Sequence, residues 1–276
     1  TPSFRYEIQY SKLGAFVPKT HQIDGIVDHL KKGKFESTVM FANRYDGIDL
    51  PDSTCRILII DGKPFFFSLA DRYEESIRIN SDFINIKIAQ KIEQGLGRSV
   101  RGEKDYSLIL VIGGDLVRFM KSSRTNKYFS PQTKKQIDIG VEIANLAKEE
   151  LVEGVSPYEV VRSLVKQSLN RDEGWKAYYQ EEMNSITSEG KIKDIYDLLD
   201  LERQASDFAY NGNNEKACEI IQDVVDNYCN DDSEKGWYLQ ILARYKYFDS
   251  KLESNRLQKS AFQNNRELLL PKEGIT

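Results

Sequence analysis

Along the first 130 residues, short continuous apolar runs alternate with segments in which apolar residues recur at helical spacing. Short apolar runs at 37–42, 56–61 and 107–112 are bounded by polar or turn-forming residues, which is typical of buried parallel strands. Between them, apolar residues recur at helical spacing over 21–30 and 82–95. Strands and helices that alternate in this way predict a parallel α/β sheet with right-handed crossovers. Ligands of such sheets bind beyond the carboxyl ends of the strands.

Only helical patterns follow residue 112. A helix is expected to begin at Ser130-Pro131 and run to about Val152. The capping box at 156–159, with proline at the first helical position, predicts a helix over 157–170, and another follows from about Asp172. Residues 194–265 are typical of stacked helical hairpins, because the spacing from Gly212 to Ala217 is similar to the turn of tetratricopeptide repeats.

Composition limits the class of protein. The chain has 276 residues, 40% hydrophobic and 30% charged, which fits one large or two modest folded domains. Its three cysteines, Cys55, Cys218 and Cys229, form no CxxC pair, so reduced thiols are expected. The sequence contains no signal peptide and no apolar run of membrane-spanning length. These features predict a cytoplasmic protein with no membrane partner.

Charge is distributed unevenly along the chain. Residues 1–130 contain 20 Lys/Arg and 16 Asp/Glu, whereas residues 131–276 contain 19 and 27. A basic first part beside an acidic second part fits a nucleic-acid-facing domain joined to a domain with another partner, and chance variation of solvated surfaces is the alternative. Arg118, Lys121, Arg124 and Lys127 could track a nucleic-acid backbone or could be a solvated helix end.

Residues 94–101 carry the most informative motif. Their sequence QGLGRSVR has the pattern Q-x-x-G-R-x-x-R, after an amphipathic helix and before an apolar strand. Arg98 and Arg101 are three residues apart at a helix end that glycine loosens, so they are expected to point the same way. Their guanidinium forks match phosphate oxygens, so the pair suits a polyphosphate.

A second motif, FANRYDGIDLP at 41–51, directly follows a predicted strand. Asn43 and Arg44 offer donors to phosphate or sugar oxygens. Gly47 permits close approach of a ligand to the backbone, and Asp49 can accept a hydrogen bond from a ribose hydroxyl. A purely structural Gly/Asp turn is the alternative interpretation.

In this order and about 50 residues apart, the two motifs resemble motifs V and VI of superfamily-two helicases. The strings NRYDGIDLPDSTCRILIIDGKPF, QGLGRSVRGEKDYSLILVIGGDL and SLNRDEGWKAYYQ are similar to bacterial DEAD/DEAH-type helicases of genome-defence and DNA-processing operons. The resemblance covers residues 1 to about 185. It implies a RecA-like C-terminal motor domain at 1–129, a helical extension at 130–190 and a helical hairpin accessory domain, similar to tetratricopeptide repeats, at 191–276.

The resemblance also implies residue roles. Gln94, Arg98 and Arg101 would contact the γ-phosphate of ATP, held mainly by the other motor domain. Gly47, Asp49 and Gly97 would face the nucleotide. The nucleic-acid track would include Asn43, Arg44 and Ser3, the last because Thr1-Pro2-Ser3 resembles the end of the first strand of the domain. In that case the chain begins late in the domain.

The sequence departs from the family pattern in two places, and both limit the activity that is expected of this chain. The pattern G-x-x-x-x-G-K-[ST] does not occur, so the phosphate cradle and its magnesium-binding hydroxyl are absent. The single Asp-Glu dipeptide, at 172–173, opens a helix rather than ending a strand. ATP and Mg²⁺ are therefore expected to be bound mainly by a missing half, which is an N-terminal domain or a separate polypeptide, and this chain alone is expected to be inactive. The resemblance places that half upstream, as an N-terminal RecA-like domain of the same protein.

Two hypotheses follow from the sequence. The first is the second motor domain of an ATP-dependent DNA or RNA helicase or translocase, with an effector or nuclease as a further partner of the helical region. The second is a non-catalytic adaptor that uses its acidic helical domain to bind a partner protein. An intact arginine pair argues against the second hypothesis, because a scaffold has no need for it.

Overall fold

The computed structural model describes residues 1–45, 47–79, 81–99, 106–187, 193–229 and 231–268. The chain divides into two compact units. The first comprises Thr1–Phe65 and Ile86–Glu189, and the second comprises Phe66–Asn85 and Gly190–Thr276. Residues 66–85 interrupt the first unit in sequence and belong to the second unit. The predicted domain boundaries at 129 and 190 do not separate this segment.

Helices and a small sheet make up the first unit. In chain order the elements are α1 (Glu7–Lys12), α2 (Ile23–Lys31), β1 (Ile57–Asp61), α3 (Leu69–Ile77, in the second unit), α4 (Asp82–Leu96), β2 (Leu108–Ile112), α5 (Gly114–Lys121), α6 (Ser123–Asn126), α7 (Pro131–Glu149), α8 (Pro157–Leu169) and α9 (Glu173–Asn184). The predicted helices at 21–30, 82–95, 131–152 and 157–170 are thereby confirmed to within a few residues.

Strands β1 and β2 pair in parallel, with Ile57 opposite Leu108 and Asp61 opposite Ile112. Their order along the chain and their direction agree with the predicted α/β class. A parallel pair needs a crossover connection, and α3 and α4 lie between the two strands in sequence. The carboxyl ends of both strands consequently meet at one edge of the sheet, where ligands of parallel sheets bind.

The prediction that residues 37–42 form a strand of this sheet is wrong. In its place the structure has a single bridge between Val39 and Phe16, made by hydrogen bonds from Phe16 N to Thr38 O and from Met40 N to Phe16 O. The segment is extended and buries Met40, but Pro18 follows closely on the partner segment. Proline has no N–H to continue a ladder, so pairing stops after one residue.

Helix α7 begins as its sequence predicts. The Oγ atom of Ser130 accepts a hydrogen bond from Thr133 N, and Pro131 occupies the first turn. Ser130 also donates from its backbone N–H and its hydroxyl to Glu93 Oε1, at 2.8 and 2.7 Å. These two bonds fix the start of α7 against α4.

In its described residues the second unit contains α3, the first turn of α4 and four longer helices, α10 (Lys193–Tyr210), α11 (Asn214–Asn227), α12 (Asp232–Lys246) and α13 (Lys251–Asn264). Gly212, at φ +81°, turns the chain between α10 and α11, and Asn213 caps α11. The helical hairpins predicted for 194–265 are present; their relationship to tetratricopeptide repeats stays a prediction. Ile77 of α3 is fully buried in the core that these helices form.

A buried guanidinium group ties α3 to the other helices of the second unit. Arg78 is 1% exposed and donates to Glu74, to both carboxylate oxygens of Glu234 at 3.1 and 2.9 Å, and to Tyr238 at 3.1 Å. Burial alone would lower the pKa of Arg78, but Tyr238 and the surrounding carboxylates raise it, so the guanidinium stays charged. Segment 66–85 is thereby an integral part of the helical unit.

Within the described ranges, no helix is both long enough and apolar enough to cross a membrane.

Candidate functional site

The turn that follows α4 docks onto the loop at 43–50 through Arg98. Its Nε atom donates to the carbonyl oxygen of Tyr45 at 2.9 Å, one terminal nitrogen donates to the same oxygen, and the other donates to Ile48 O. The main chain adds a further bond, from Leu50 N to Arg98 O at 3.1 Å. The two motifs found in the sequence therefore meet, although about 50 residues separate them.

Arg98 is buried among the oxygen atoms of the loop that it contacts. The residue is 8% exposed, and the carboxylate of Asp49 lies 3.8 Å from one of its terminal nitrogens. Carbonyl and carboxylate oxygens of one loop thus surround the guanidinium. The donors of this side chain point into the loop that precedes β1. Its predicted contact with a phosphate stays a prediction.

Close packing between Tyr45 and Gly95 supports the same junction. A Cβ atom on Gly95 would lie 2.8 Å from Cδ1 of Tyr45 and 3.3 Å from Cδ1 of Ile60. Helix α4 continues through Gly95 to Leu96 and ends directly before Gly97. Gly95 therefore lies within the helix. Glycine is needed at position 95 because only a hydrogen leaves room for the ring of Tyr45.

Burial also explains the chemistry of Tyr45. Its hydroxyl donates to Gly62 O at 3.3 Å, and the residue is 5% exposed. Burial raises the pKa of the Tyr45 phenol, and Tyr6, Asp61 and Asp115 add to the rise. The phenol is therefore neutral and acts as a packing group.

The outer side of the loop is open. Gly47 has φ +75°, which favours glycine, and nothing lies within 4 Å of the position that a Cβ would take. Gly47, Asp49, Gly97 and Gln94 are all exposed, and half of the Asp49 side chain is accessible. Four residues expected to face a nucleotide thus belong to exposed parts of the two joined segments. Arg101 lies outside the described residues.

Residues 1–3 meet the beginning of the same loop. Asn43, at φ +50°, donates its backbone N–H to Thr1 O at 2.8 Å, and Ser3 caps the short 3₁₀ turn at 4–6. The Oδ1 atom of Asn43 is buried without a hydrogen-bond partner among the described residues. The side chain of Arg44 is exposed. The hydroxyl of Thr1 donates to Ser3 O at 3.4 Å, so Thr1 links Ser3 and Asn43, two of the residues expected on the nucleic-acid track.

A polar cluster at the carboxyl edge of the sheet was not anticipated. Asp61, the last residue of β1, is 8% exposed and accepts a hydrogen bond from Tyr10 at 2.7 Å. Gly62 and Gly113 approach so closely that a Cβ on Gly113 would lie 2.8 Å from Gly62 N. The Gly-Gly pair after β2 is the one sequence signal of this close approach.

The described residues contain no group of three or more His, Cys, Asp or Glu that could hold a metal ion. In the same part of the chain, Gly47 is exposed and its surroundings are open. Cys55 is half buried, and burial raises the pKa of its thiol, so it has none of the features of an activated nucleophile.

These observations define a class: a parallel α/β domain whose glycine-containing loop is tied to an arginine motif at a helix end. Comparison with known families agrees. Residues 3–136 match the model of the helicase C-terminal domain, and this match supports a helicase C-terminal domain of the superfamily-two type in that part of the chain. No curated protein and no solved structure matches the chain.

Proposed function

We propose that this chain contributes the second motor domain of an ATP-dependent DNA or RNA helicase or translocase. The observation that carries the proposal is the junction between Arg98 and the loop at 45–49. It joins the two segments that bear glycines and polar groups suited to a nucleotide, and it leaves Gly47, Asp49 and Gln94 exposed.

In this proposal the two arginines have different roles. Arg98 is a positioning residue, because its donors are directed to the carbonyl oxygens of the loop. Arg101 reaches the γ-phosphate and stabilises the charge of the transition state, with Gln94 beside it. Such an arginine contributes roughly 10³–10⁵ in rate in the related GTPases. ATP supplies the phosphoryl group that is transferred to water.

The nucleotide is shared with another domain. Gly47 gives the ligand close access to the backbone, and Asp49 accepts a hydrogen bond from the ribose. The phosphate cradle and the Mg²⁺ ligands come from an N-terminal RecA-like domain of the same protein, since the sequence lacks the lysine-bearing phosphate loop. Closure of the two domains would bring Arg101 onto the phosphate.

The nucleic acid would pass along the other end of the loop. Ser3, Asn43 and Arg44 offer donors to phosphate oxygens, and the first two are joined through Thr1. Contacts of this kind are mostly to the backbone, so binding weakens as salt rises.

The acidic helical region is a candidate surface for an effector or nuclease. Its contribution is an addition to the motor function and not an alternative to it, because an adaptor would have no use for the joined motifs. Recovery of a partner that is unchanged by charge-reversing substitutions on α10 and α11 would count against this part of the proposal.

The test is ATP hydrolysis by the full-length protein. We expect Arg101→Ala to abolish hydrolysis while binding of a labelled oligonucleotide survives. Gln94→Ala should reduce the rate less. Normal turnover by Arg101→Ala would refute the assignment of the second motor domain.

A further inference from the structure

Helix α7 carries an open groove that has no part in the site described above. The groove has a volume of about 320 Å³, and we define the α7 groove by the six residues of this helix that line it: Asp138, Val141, Glu142, Asn145, Leu146 and Glu149. Val141 and Leu146 form its apolar part, and the other four residues are polar or acidic. Leu146 is 53% exposed, so the apolar part is open to a ligand.

The polar residues of the α7 groove follow one face of the helix. They stand four, three and four positions apart in the sequence, at 138, 142, 145 and 149. At this spacing they form one row along three helical turns, about 16 Å in length. A second helix laid along this row can present its own side chains at the same spacing.

Exposed apolar side chains continue along the chain from the α7 groove. Leu151, Val152 and Val155 follow α7, and Tyr158 and Val161 lie in the first turns of α8. All five are exposed, Tyr158 at 70%. Single exposed apolar residues are ordinary on a protein surface, but a concentration of this kind marks an interaction surface.

The rim of the α7 groove is held by α9. Tyr178 donates its hydroxyl to the Glu142 carboxylate at 2.7 Å, and Gln136 of α7 donates to the Tyr179 hydroxyl at 2.8 Å. Glu142 is thereby fixed at the edge of the α7 groove. A partner that meets a positioned carboxylate loses less conformational entropy on binding.

The charge of this surface selects the chemistry of its partner. Residues 138–159 contain six Asp or Glu and one Lys. Among the residues that the structure describes, no Lys or Arg forms an ion pair with Asp138, Glu142 or Glu149. The carboxylates repel phosphates and anionic lipids, and a second copy of the same face would meet like charge. A positively charged protein segment is the complementary partner.

We propose that the α7 groove and the exposed apolar residues that follow it bind a basic amphipathic helix of a partner protein. Apolar side chains of that helix pack on Val141 and Leu146, and its Lys or Arg side chains meet the row of Asp138, Glu142 and Glu149. The inference goes beyond the proposed function, because it requires neither ATP nor nucleic acid. It concerns α7, whereas the partner surface proposed above belongs to α10 and α11.

The test measures binding of synthetic peptides to the full-length protein by fluorescence anisotropy at low salt. The probe is a fluorescein-labelled peptide of about 18 residues with leucine and lysine at helical spacing, which is long enough to be partly helical in water. A second peptide has glutamate in place of lysine and tests the role of charge. A third has serine in place of leucine and tests the role of apolar contact. We expect both to bind much more weakly than the probe.

Two variants alter the α7 groove at exposed positions. Asp138→Asn combined with Glu149→Gln removes charge and keeps the shape of the side chains, and Leu146→Ser removes the apolar contact. We expect the Kd for the leucine–lysine probe to rise about fivefold in the first variant, since each exposed ion pair contributes a few-fold. It should rise at least about tenfold in the second, because an apolar side chain that the partner covers is lost.

The matched controls make the same exchanges at exposed positions of the second unit. Asp197→Asn combined with Glu215→Gln removes two carboxylates from α10 and α11, and Leu252→Ser removes a side chain of α13 that is 66% exposed. Both controls should keep the Kd for the probe within about twofold of the wild-type value, because they are distant in kind from the α7 groove and share no partner with it.

Four results would overturn the inference. The wild-type protein does not bind the probe, which would show that another part of the same protein covers the α7 groove. The glutamate or the serine peptide binds as tightly as the probe. The groove variants keep the wild-type Kd, or the controls weaken binding as much. Sedimentation velocity shows self-association that Leu146→Ser abolishes, which would identify a second copy of the chain as the occupant.

Discussion

Arg98 donates the hydrogen of its Nε atom to the carbonyl oxygen of Tyr45 at 2.9 Å, and this bond joins two motifs that lie about 50 residues apart in the chain. Both residues are buried, Arg98 at 8% and Tyr45 at 5% exposure. An arginine in this position organises a loop from within. We propose that contact with the γ-phosphate then falls to other residues of the motif.

The first prediction concerns this bond. Arg98→Met keeps the length of the side chain but leaves the carbonyl oxygens of Tyr45 and Ile48 without their buried donor, so the free energy of unfolding should fall by about 3 kcal/mol. Urea unfolding at constant pH measures the change. Gln94→Met, at an exposed position of the same motif, is the control and should be close to neutral. Equal stability of both variants would show that Arg98 does not hold the loop.

The second prediction concerns the glycine beneath Tyr45. Gly95→Ala should destabilise the protein by about 1–2 kcal/mol, because the new methyl group would lie 2.8 Å from a buried ring that its hydroxyl bond to Gly62 restrains. Gly25→Ala is the matched helical control, with nothing within 4 Å of the new Cβ. It should stabilise by about 0.5–1 kcal/mol. Thermal unfolding of the two variants should thus shift in opposite directions, and a stabilising Gly95→Ala would exclude the packing described here.

The third prediction concerns the buried guanidinium of the helical unit. Arg78→Met should cost about 3–5 kcal/mol, because Glu234 and Glu74 lose their partner in a largely dry site. Arg203→Met removes a surface arginine that pairs with Asp200 and Asp207, and should change stability little. Denaturant midpoints compare the two variants. A tolerated Arg78→Met would mean that segment 66–85 does not depend on this cluster.

The fourth prediction concerns thiol reactivity. Burial, with added contributions from Glu234 and Asp231, raises the pKa of the Cys229 thiol to about 12. In a variant with Cys55→Ser and Cys218→Ala, alkylation of the native protein by iodoacetamide should keep rising with pH above 9. Because the folded state holds this proton more tightly than the unfolded chain, stability should also decrease as pH rises past the ordinary value of 9.0. A rate that levels off near pH 9 would contradict the raised pKa.

Local patterns predicted the parts of the fold that depend on local physics. Helices α2, α4, α7 and α8 followed from apolar spacing and caps, and strands β1 and β2 followed from apolar runs. The run at 37–42 has the composition of a strand, but Pro18 on the partner segment stops the pairing, and the apolar pattern of the run itself contains no sign of that proline.

Long-range contacts explain what the sequence did not reveal. The bond from Arg78 to Glu234 joins residues 156 apart, and no local pattern assigns α3 to the helical unit. The motif at 94–101 was found, but the direction of Arg98 depends on carbonyl oxygens some 50 residues earlier in the chain. A glycine within the apolar pattern of α4 was the available hint that another segment packs closely there.

The most direct test of the central claim is the turnover number for ATP of the full-length protein with Arg101→Lys. Lysine keeps the positive charge and loses the planar fork, so it separates guanidinium geometry from charge. With nucleic acid saturating, we predict that kcat falls by at least about a hundredfold, while the KM for ATP and the Kd for nucleic acid change little. A kcat that stays at the wild-type value would contradict the claim that this chain completes the nucleotide site of a motor.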